Sequence, residues 1–237
     1  MSRSQHRGLD GGGVTPMSPR ARTLSALALL LTPGFAASGQ YPCPAWPPAS
    51  SGFWGPMSYR VQASPQGAVV VAEGQIGSQE AQRLKAELKR AMAQPGGINE
   101  LWLNSPGGDS EQGQAMGRVI RTLGVPTRIR AGSFCVSACS VAFLGGVFRT
   151  VEHGGAYTVH MFSNFGGMAP DQGLVNKVKD LQSLEQDAAQ YAGERYQYLL
   201  EMGISPSVAK HGFSVKNRDA SCPPRKVLQD WNVDNSQ

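Results

Sequence analysis

The stretch "GSFCVSACSVAFLGG", residues 132–146, sets Ser137 between Cys135 and Cys139, where an extended apolar run should pass into a helix. A hydroxyl held there can attack a carbonyl if three other groups converge on it. A helix starting at Ser137 aims free N–H groups at the atom under attack. Gly108 of "NSPGGDS" has no Cβ and lets a second backbone N–H reach the same point. Donors fixed in this way form an oxyanion hole, each worth about 3 kcal/mol or more in acyl transfer. His160 closes the next extended run, 23 residues after Ser137, and is the candidate general base. An acidic side chain should orient its imidazole.

Each of these residues also has an ordinary reading. Serine caps helices, a histidine on an apolar run is more often a core residue, and Pro106-Gly107-Gly108 alone is a tight turn. Their joint spacing, with Ser137 29 residues after Gly108, favours the nucleophile. His153, in "EHGG", reads as a turn residue, and His211 as the end of a surface helix. Lys210 and Lys216 leave a Ser-Lys dyad open, which His160 makes less attractive. Cys135 and Cys139 lack a zinc-spaced partner and no Walker phosphate loop occurs, so neither metal nor other cofactor is expected.

The elements that must position these groups follow from periodicity. "GAVVVAEGQI", residues 67–76, reads as a strand leading to a helix over 78–94, with Ser78 as N-cap and Ala81, Leu84, Leu88 and Met92 on one stripe. Residues 98–105 form the next strand, 106–124 a glycine turn and helix, 125–133 a third strand, then the short buried helix after Ser137. This alternation implies an α/β fold of repeated βαβ units around a mainly parallel sheet, whose sites lie at the carboxyl ends of the strands. A further strand is expected over 156–162, and a long helix over 173–202 with Leu174, Val178, Leu181, Leu184, Ala188, Ala192 and Leu199 near one face. Residues 203–235 read as two short helices and a final strand.

Three segments are expected: a leader and secretory signal peptide over 1–39, an extended Pro/Gly-rich arm over 40–66 docked by Trp46, Phe53 and Trp54, and the α/β domain over 67–237. The signal reading rests on Arg20 and Arg22 before "TLSALALLL" and on the small residues after it. It implies export, periplasmic or secreted, with no stable membrane insertion after removal. Removing residues 1–39 leaves 18 basic residues (22 less the arginines at 3, 7, 20 and 22) and 16 acidic ones (17 less Asp10), so the basic balance gives no case for nucleic acid. Cys43, Cys135, Cys139 and Cys222 all remain, and an oxidising compartment makes two disulfides the expectation. Of three connectivities, Cys135 with Cys139 and Cys43 with Cys222 is favoured, because i and i+4 on a helical turn lie within disulfide reach.

"LNSPGGDSEQGQAMG", residues 103–117, the serine 29 residues after Gly108 and then "VHMF" resemble the proteolytic subunit of Clp protease, within the wider Clp/crotonase fold. The "EGQI" at 73–76 resembles that family's first strand-to-helix junction. The likeness is nearest to an exported branch whose serine lies in C-x-S-A-C, and it covers about residues 68–234. It implies Ser137 as nucleophile, His160 as base, the N–H groups of Gly108 and Ala138 as oxyanion hole, and Asp219 of "RDASCPP" as the third member. It also implies a handle-like role for the long C-terminal helix and, since members form rings or trimers, a homo-oligomer. Three departures stand out. Ala138-Cys139 replaces the family's Met-Gly after the serine. His160 to Asp219 is about ten residues longer than usual, which leaves Asp171, Asp180 and Asp187 as competitors. An exported chain has no ATP-driven unfoldase beside it.

The function expected is therefore an exported serine hydrolase, a peptidase acting on peptide or unfolded-protein substrates by acyl-enzyme chemistry. Two alternatives belong to other classes: a non-catalytic binding or scaffold protein on the same fold, and a thiol redox protein using Cys135 and Cys139. The second is weaker, because the spacing is C-x-x-x-C.

Overall fold

A computed structural model describes residues 41–161, 174–216 and 219–236. The expected leader and signal peptide, Asp171 and Arg218 lie outside them. The described chain is mixed α/β, with six α-helices and a short 3-10 turn at Gly52–Trp54.

The main sheet has five strands: β1 (Ser58–Ser64), β2 (Gly67–Glu73), β3 (Ile98–Asn104), β4 (Thr127–Ile129) and β6 (Arg149–Val151), in the order β1-β2-β3-β4-β6. The run from β2 to β6 is parallel; β1 is antiparallel to β2. β2 buries nearly every residue of its Val-rich sequence, as a strand covered on both faces must. β1 is mostly exposed and carries Arg60 and Gln62, polar side chains that suit an edge. A second sheet pairs β5 (Phe134–Cys135) with β7 (Ala156–Tyr157), also parallel.

Helices α1 (Glu80–Met92) and α2 (Ser110–Leu123) follow β2 and β3. The Asp109 carboxylate accepts from Gln112 N at 3.0 Å and caps α2, and Gly124 closes it in the left-handed region. α3 (Ala138–Phe143) is buried at all six positions and packs closely on α2. At Gly113 of α2 a Cβ would meet the Ala138 carbonyl oxygen at 2.5 Å, so glycine is what allows the two helices this approach. α4 (Leu174–Glu201), α5 (Ser207–Ser214) and α6 (Arg225–Asp230) complete the chain.

Several expectations change. Ser78 does not cap α1; Gln79 occupies the cap position with φ 61°, and Glu80 is buried instead, accepting from the Tyr59 hydroxyl at 2.8 Å. The segment 40–66 contributes more than an arm, because its end is β1, paired with β2 through seven residues. Its alternation was masked by polar residues on both faces of an edge strand. β6 was not anticipated: three residues after a glycine turn give too short a pattern to see. β7 is shorter than the strand expected over 156–162. No strand ends the described chain. After α6 the backbone turns at Asn232, and the buried Arg149 guanidinium donates to the carbonyls of Val233 (3.1 Å), Asn232 (2.8 Å) and Gly146 (2.6 Å), holding that tail against β6. Among the described side chains of α4, Tyr198 and Leu199 are buried and Leu181 is exposed; those of Leu174, Val178, Asp180 and Leu184 lie outside the description.

Both disulfides form as favoured, Cys43–Cys222 and Cys135–Cys139. The first closes a loop of 179 residues and ties the arm to the C-terminal region. Trp46 stacks on Phe134 with centroids 5.3 Å apart, and Phe53 is buried beside the same ring. Cross-linking so long a loop removes much unfolded-state entropy, so the Cys43→Ser, Cys222→Ser double variant should lose about 2–5 kcal/mol in denaturant unfolding. No helix among the described residues is long and apolar enough to cross a membrane.

Candidate active site

The chain from β5 to α3 turns sharply at Ser137. Its backbone lies at φ 57°, ψ −120°, a region that non-glycine residues rarely adopt, and α3 starts immediately after it. A serine held in a strained strand-to-helix turn projects its Oγ and leaves the next N–H groups free, the arrangement of a nucleophile elbow. The Cys135–Cys139 bridge closes a ring around this turn. Its basis differs from the expected helical turn, since Cys135 belongs to β5 and only Cys139 to α3; a reversal of the chain, not helical periodicity, brings the Cα atoms to 5.1 Å. Both cysteines are fully buried, which removes them from exchange with thiols in solution and weighs against a redox role.

Neighbouring strand ends fix the turn from both sides. Ser105, just past β3, receives Val136 N on its carbonyl at 3.0 Å and gives its own N–H to Phe134 O at 2.8 Å. The Cys135 carbonyl accepts Thr158 N at 3.0 Å and the Ser140 hydroxyl at 2.8 Å. Sequence reasoning passed over Ser105 and Ser140 as braces; their only sequence signal is a small polar residue inside an otherwise apolar stretch.

The Pro106–Gly107–Gly108 turn rests directly on Ser137. A Cβ on Gly107 would stand 2.7 Å from Ser137 Cβ and 2.6 Å from the Val136 oxygen. Gly108, at φ 139°, bridges to Ile76, with Ile76 N donating to Gly107 O at 2.8 Å and Asp109 N to Ile76 O at 3.0 Å. Among the described residues, neither the Gly108 nor the Ala138 N–H has an intramolecular acceptor. Two donors without an acceptor are thus carried by Ala138, next to Ser137 in the chain, and by Gly108, which lines the same cavity as Ser137.

His160 follows Val159, which exchanges both backbone hydrogen bonds with Ser221 at 2.9 Å. Ser221 precedes the disulfide-bonded Cys222 and accepts Tyr41 N on its hydroxyl at 2.8 Å, so the arm and its disulfide help hold His160 in place. The imidazole Nδ1 lies 2.6 Å from the Met161 carbonyl oxygen. A carbonyl only accepts, so Nδ1 carries the proton and the neutral ring presents Nε2 as an acceptor. Burial, with the Arg195 charge adding to it, holds the His160 pKa below the usual imidazole value, against the opposing pull of the Met161 carbonyl.

The sequence-expected residues are brought together unevenly. Gly108, Ser137 and His160 line one open cavity of about 740 Å³, together with Asp187 and Glu194 of α4. Ser137 and His160 also line a smaller cavity of about 50 Å³ that runs inward past Leu144, Tyr157 and Val159. Ser137 is thus half-buried and not sealed beneath the disulfide. No hydrogen bond joins Ser137 to His160 here; such contacts in unliganded sites tighten when substrate binds. Asp219 is exposed, and the described partner of His160 Nδ1 is the carbonyl of its own neighbour, Met161. Neither Lys210 nor Lys216 lines either cavity, which leaves a Ser-Lys dyad without its amine. His153 is exposed in its turn, and His211 meets the Ser221 hydroxyl at 2.9 Å between the Tyr41 and Trp231 rings.

No protein-family model matches the chain, and no curated protein matches it. Among solved structures, a ClpP1 mutant from Listeria monocytogenes matches with a TM-score of 0.49 and 15% identity, over 70% of this chain and 88% of its own.

Proposed function

We propose that the protein is an exported, Clp protease-like serine hydrolase, a peptidase that forms an acyl-enzyme on Ser137. The observation that carries this reading is the left-handed backbone of Ser137 at the strand-to-helix turn, in one cavity with Gly108 and His160. Strain of this kind, about 1–3 kcal/mol, persists where the surroundings enforce it, and here a disulfide, Ser105 and Ser140 do so. In the mechanism, His160 Nε2 takes the proton of Ser137 as Oγ attacks the carbonyl carbon. The Gly108 and Ala138 N–H groups receive the oxyanion, and His160 returns the proton to the leaving amine. Water, deprotonated by the same ring, then frees the acyl group. The Met161 carbonyl serves as an orienting acceptor for the Nδ1 proton. Peptides or unfolded chains are the substrate class that goes with this reading. Two disulfides suit an oxidising, exported setting.

Reaction with a fluorophosphonate probe tests the reading: one adduct at Ser137 is expected, absent in Ser137→Ala and much slowed in His160→Ala. A folded protein that shows no adduct would favour the binding-protein alternative. The base must be neutral to act, and its pKa is held below the usual value near 6.5. The rate of adduct formation should therefore rise with pH through an inflection below 6.5 and be level at neutral pH. An inflection above 6.5 contradicts the assignment of His160 in this buried setting.

A further inference from the structure

The inner cavity at Ser137 contains a charge that the acyl-transfer chemistry does not use. Arg195 of α4 lines it, and the Arg195 Nη1 atom is buried with no hydrogen-bond partner. No ion pair holds this guanidinium among the described residues. Among the described residues, the cavity's other lining residues are apolar or uncharged apart from His160, and they include no aspartate or glutamate. A buried guanidinium nitrogen without an acceptor is strongly unfavourable, and the fork of an arginine is shaped for a carboxylate. Tyr157, whose phenol burial keeps protonated, lines the same space and is a second potential donor. The outer cavity, by contrast, carries Asp109, Glu111, Asp187 and Glu194, so among the described residues a carboxylate entering the site meets its cation at the inner end.

The volume sets a size. A cavity needs about 10–15 Å³ to hold one water-sized group, so about 50 Å³ admits a few such groups, as in a short acidic side chain. We propose that Arg195 binds a substrate carboxylate in this inner cavity, beside the carbonyl that Ser137 attacks, and so sets a preference for an acidic group there. The carboxylate is either the side chain of an Asp or Glu residue that supplies the attacked carbonyl, or the free end of a chain. This rests on the hydrolase reading of Ser137 and His160. Arg195 already disfavours a second positive charge on His160, so neutralising it with a bound carboxylate also makes the base stronger when substrate is present.

The test uses the full mature protein and acetyl-Ala-Ala-X-aminomethylcoumarin with X as Asp, Glu, Ala or Leu. The wild type is expected to favour Asp or Glu over Ala by about 10- to 100-fold in kcat/KM, the range of a charge-assisted hydrogen-bond pair. Arg195→Met should bring that ratio to about one, and Arg195→Lys should restore part of it; a merely structural arginine would change all four rates together and leave the ratio alone. If chain ends are the source, acetyl-Ala-Ala-Ala as free acid inhibits competitively and its amide does not, and Arg195→Met abolishes the difference. A wild-type preference for Leu or Ala with no inhibition by the free acid overturns the proposal, as does a ratio that survives Arg195→Met. Calorimetric binding of acetyl-Ala-Ala-Asp to Ser137→Ala, weakened about tenfold or more by adding Arg195→Met, reads the carboxylate site without catalysis. Failure of fluorophosphonate labelling with that binding intact removes the hydrolase and keeps the site; normal labelling with neither acidic preference nor carboxylate binding dependent on Arg195 does the reverse.

Discussion

Replacing Ser137 with alanine is expected to lower kcat by about 10⁴- to 10⁶-fold on any substrate the protein turns over, with little change in thermal stability. The residual rate would come from the Gly108 and Ala138 amides, which the substitution leaves in place. Ser137→Gly separates this from an effect on folding. Glycine adopts φ 57°, ψ −120° without strain, so that variant should be more stable than the wild type, by about 1 kcal/mol, and equally inactive. Gain of stability with loss of turnover is the signature of a strained residue kept for chemistry. Kinetics and denaturant unfolding of the two variants side by side provide the check. If Ser137 only filled a tight turn between two sulfurs, both variants would retain the wild-type rate.

Gly108→Ala should be the most damaging single-methyl change in the site. At φ 139° an L-residue is strained, and the added Cβ would overlap the Ile76 carbonyl oxygen, a backbone atom with little freedom to move. Relief requires breaking the bridge between Ile76 and Gly108, which carries the Gly108 N–H away from Ser137. Losing one oxyanion donor lowers kcat about 10²- to 10³-fold, and the strain adds a loss of about 1–3 kcal/mol in stability. Gly124→Ala is the control. Gly124 also has positive φ, 67°, but a Cβ there meets nothing within 4 Å, and it ends α2 away from the site. It should lose about 1–2 kcal/mol of stability and keep its activity. Comparable losses of kcat in both variants would show that glycine strain alone, and not the amide's position, accounts for the effect.

What was readable without coordinates was whatever is written locally. The alternation of strands and helices from β2 to α3 is carried by apolar periods and glycine turns, each complete within about twenty residues, and the structure has these elements in that order. The Ser137 turn was legible because a small polar residue between two cysteines interrupts an apolar run. β1 and β6 were not, because one is a polar edge and the other three residues long; both exist only by pairing with a neighbour.

The sequence by itself determined the residue types at the site: a serine at a strand-to-helix turn, glycines able to bring an amide near it, and a histidine at a later strand end. Tertiary structure decided what each side chain faces. It set Nδ1 of His160 on the Met161 carbonyl and left Asp219 at the surface. It bent Ser137 into the left-handed region and closed the disulfide around it. It turned Arg195, one charged residue among many on a long helix, into a half-buried cation that lines a cavity and has a buried, unpartnered Nη1. The physical reason is range. Turn chemistry and periodicity act over a few residues, whereas the partner of a titratable group depends on which distant segments fold against it, and no local pattern encodes that choice.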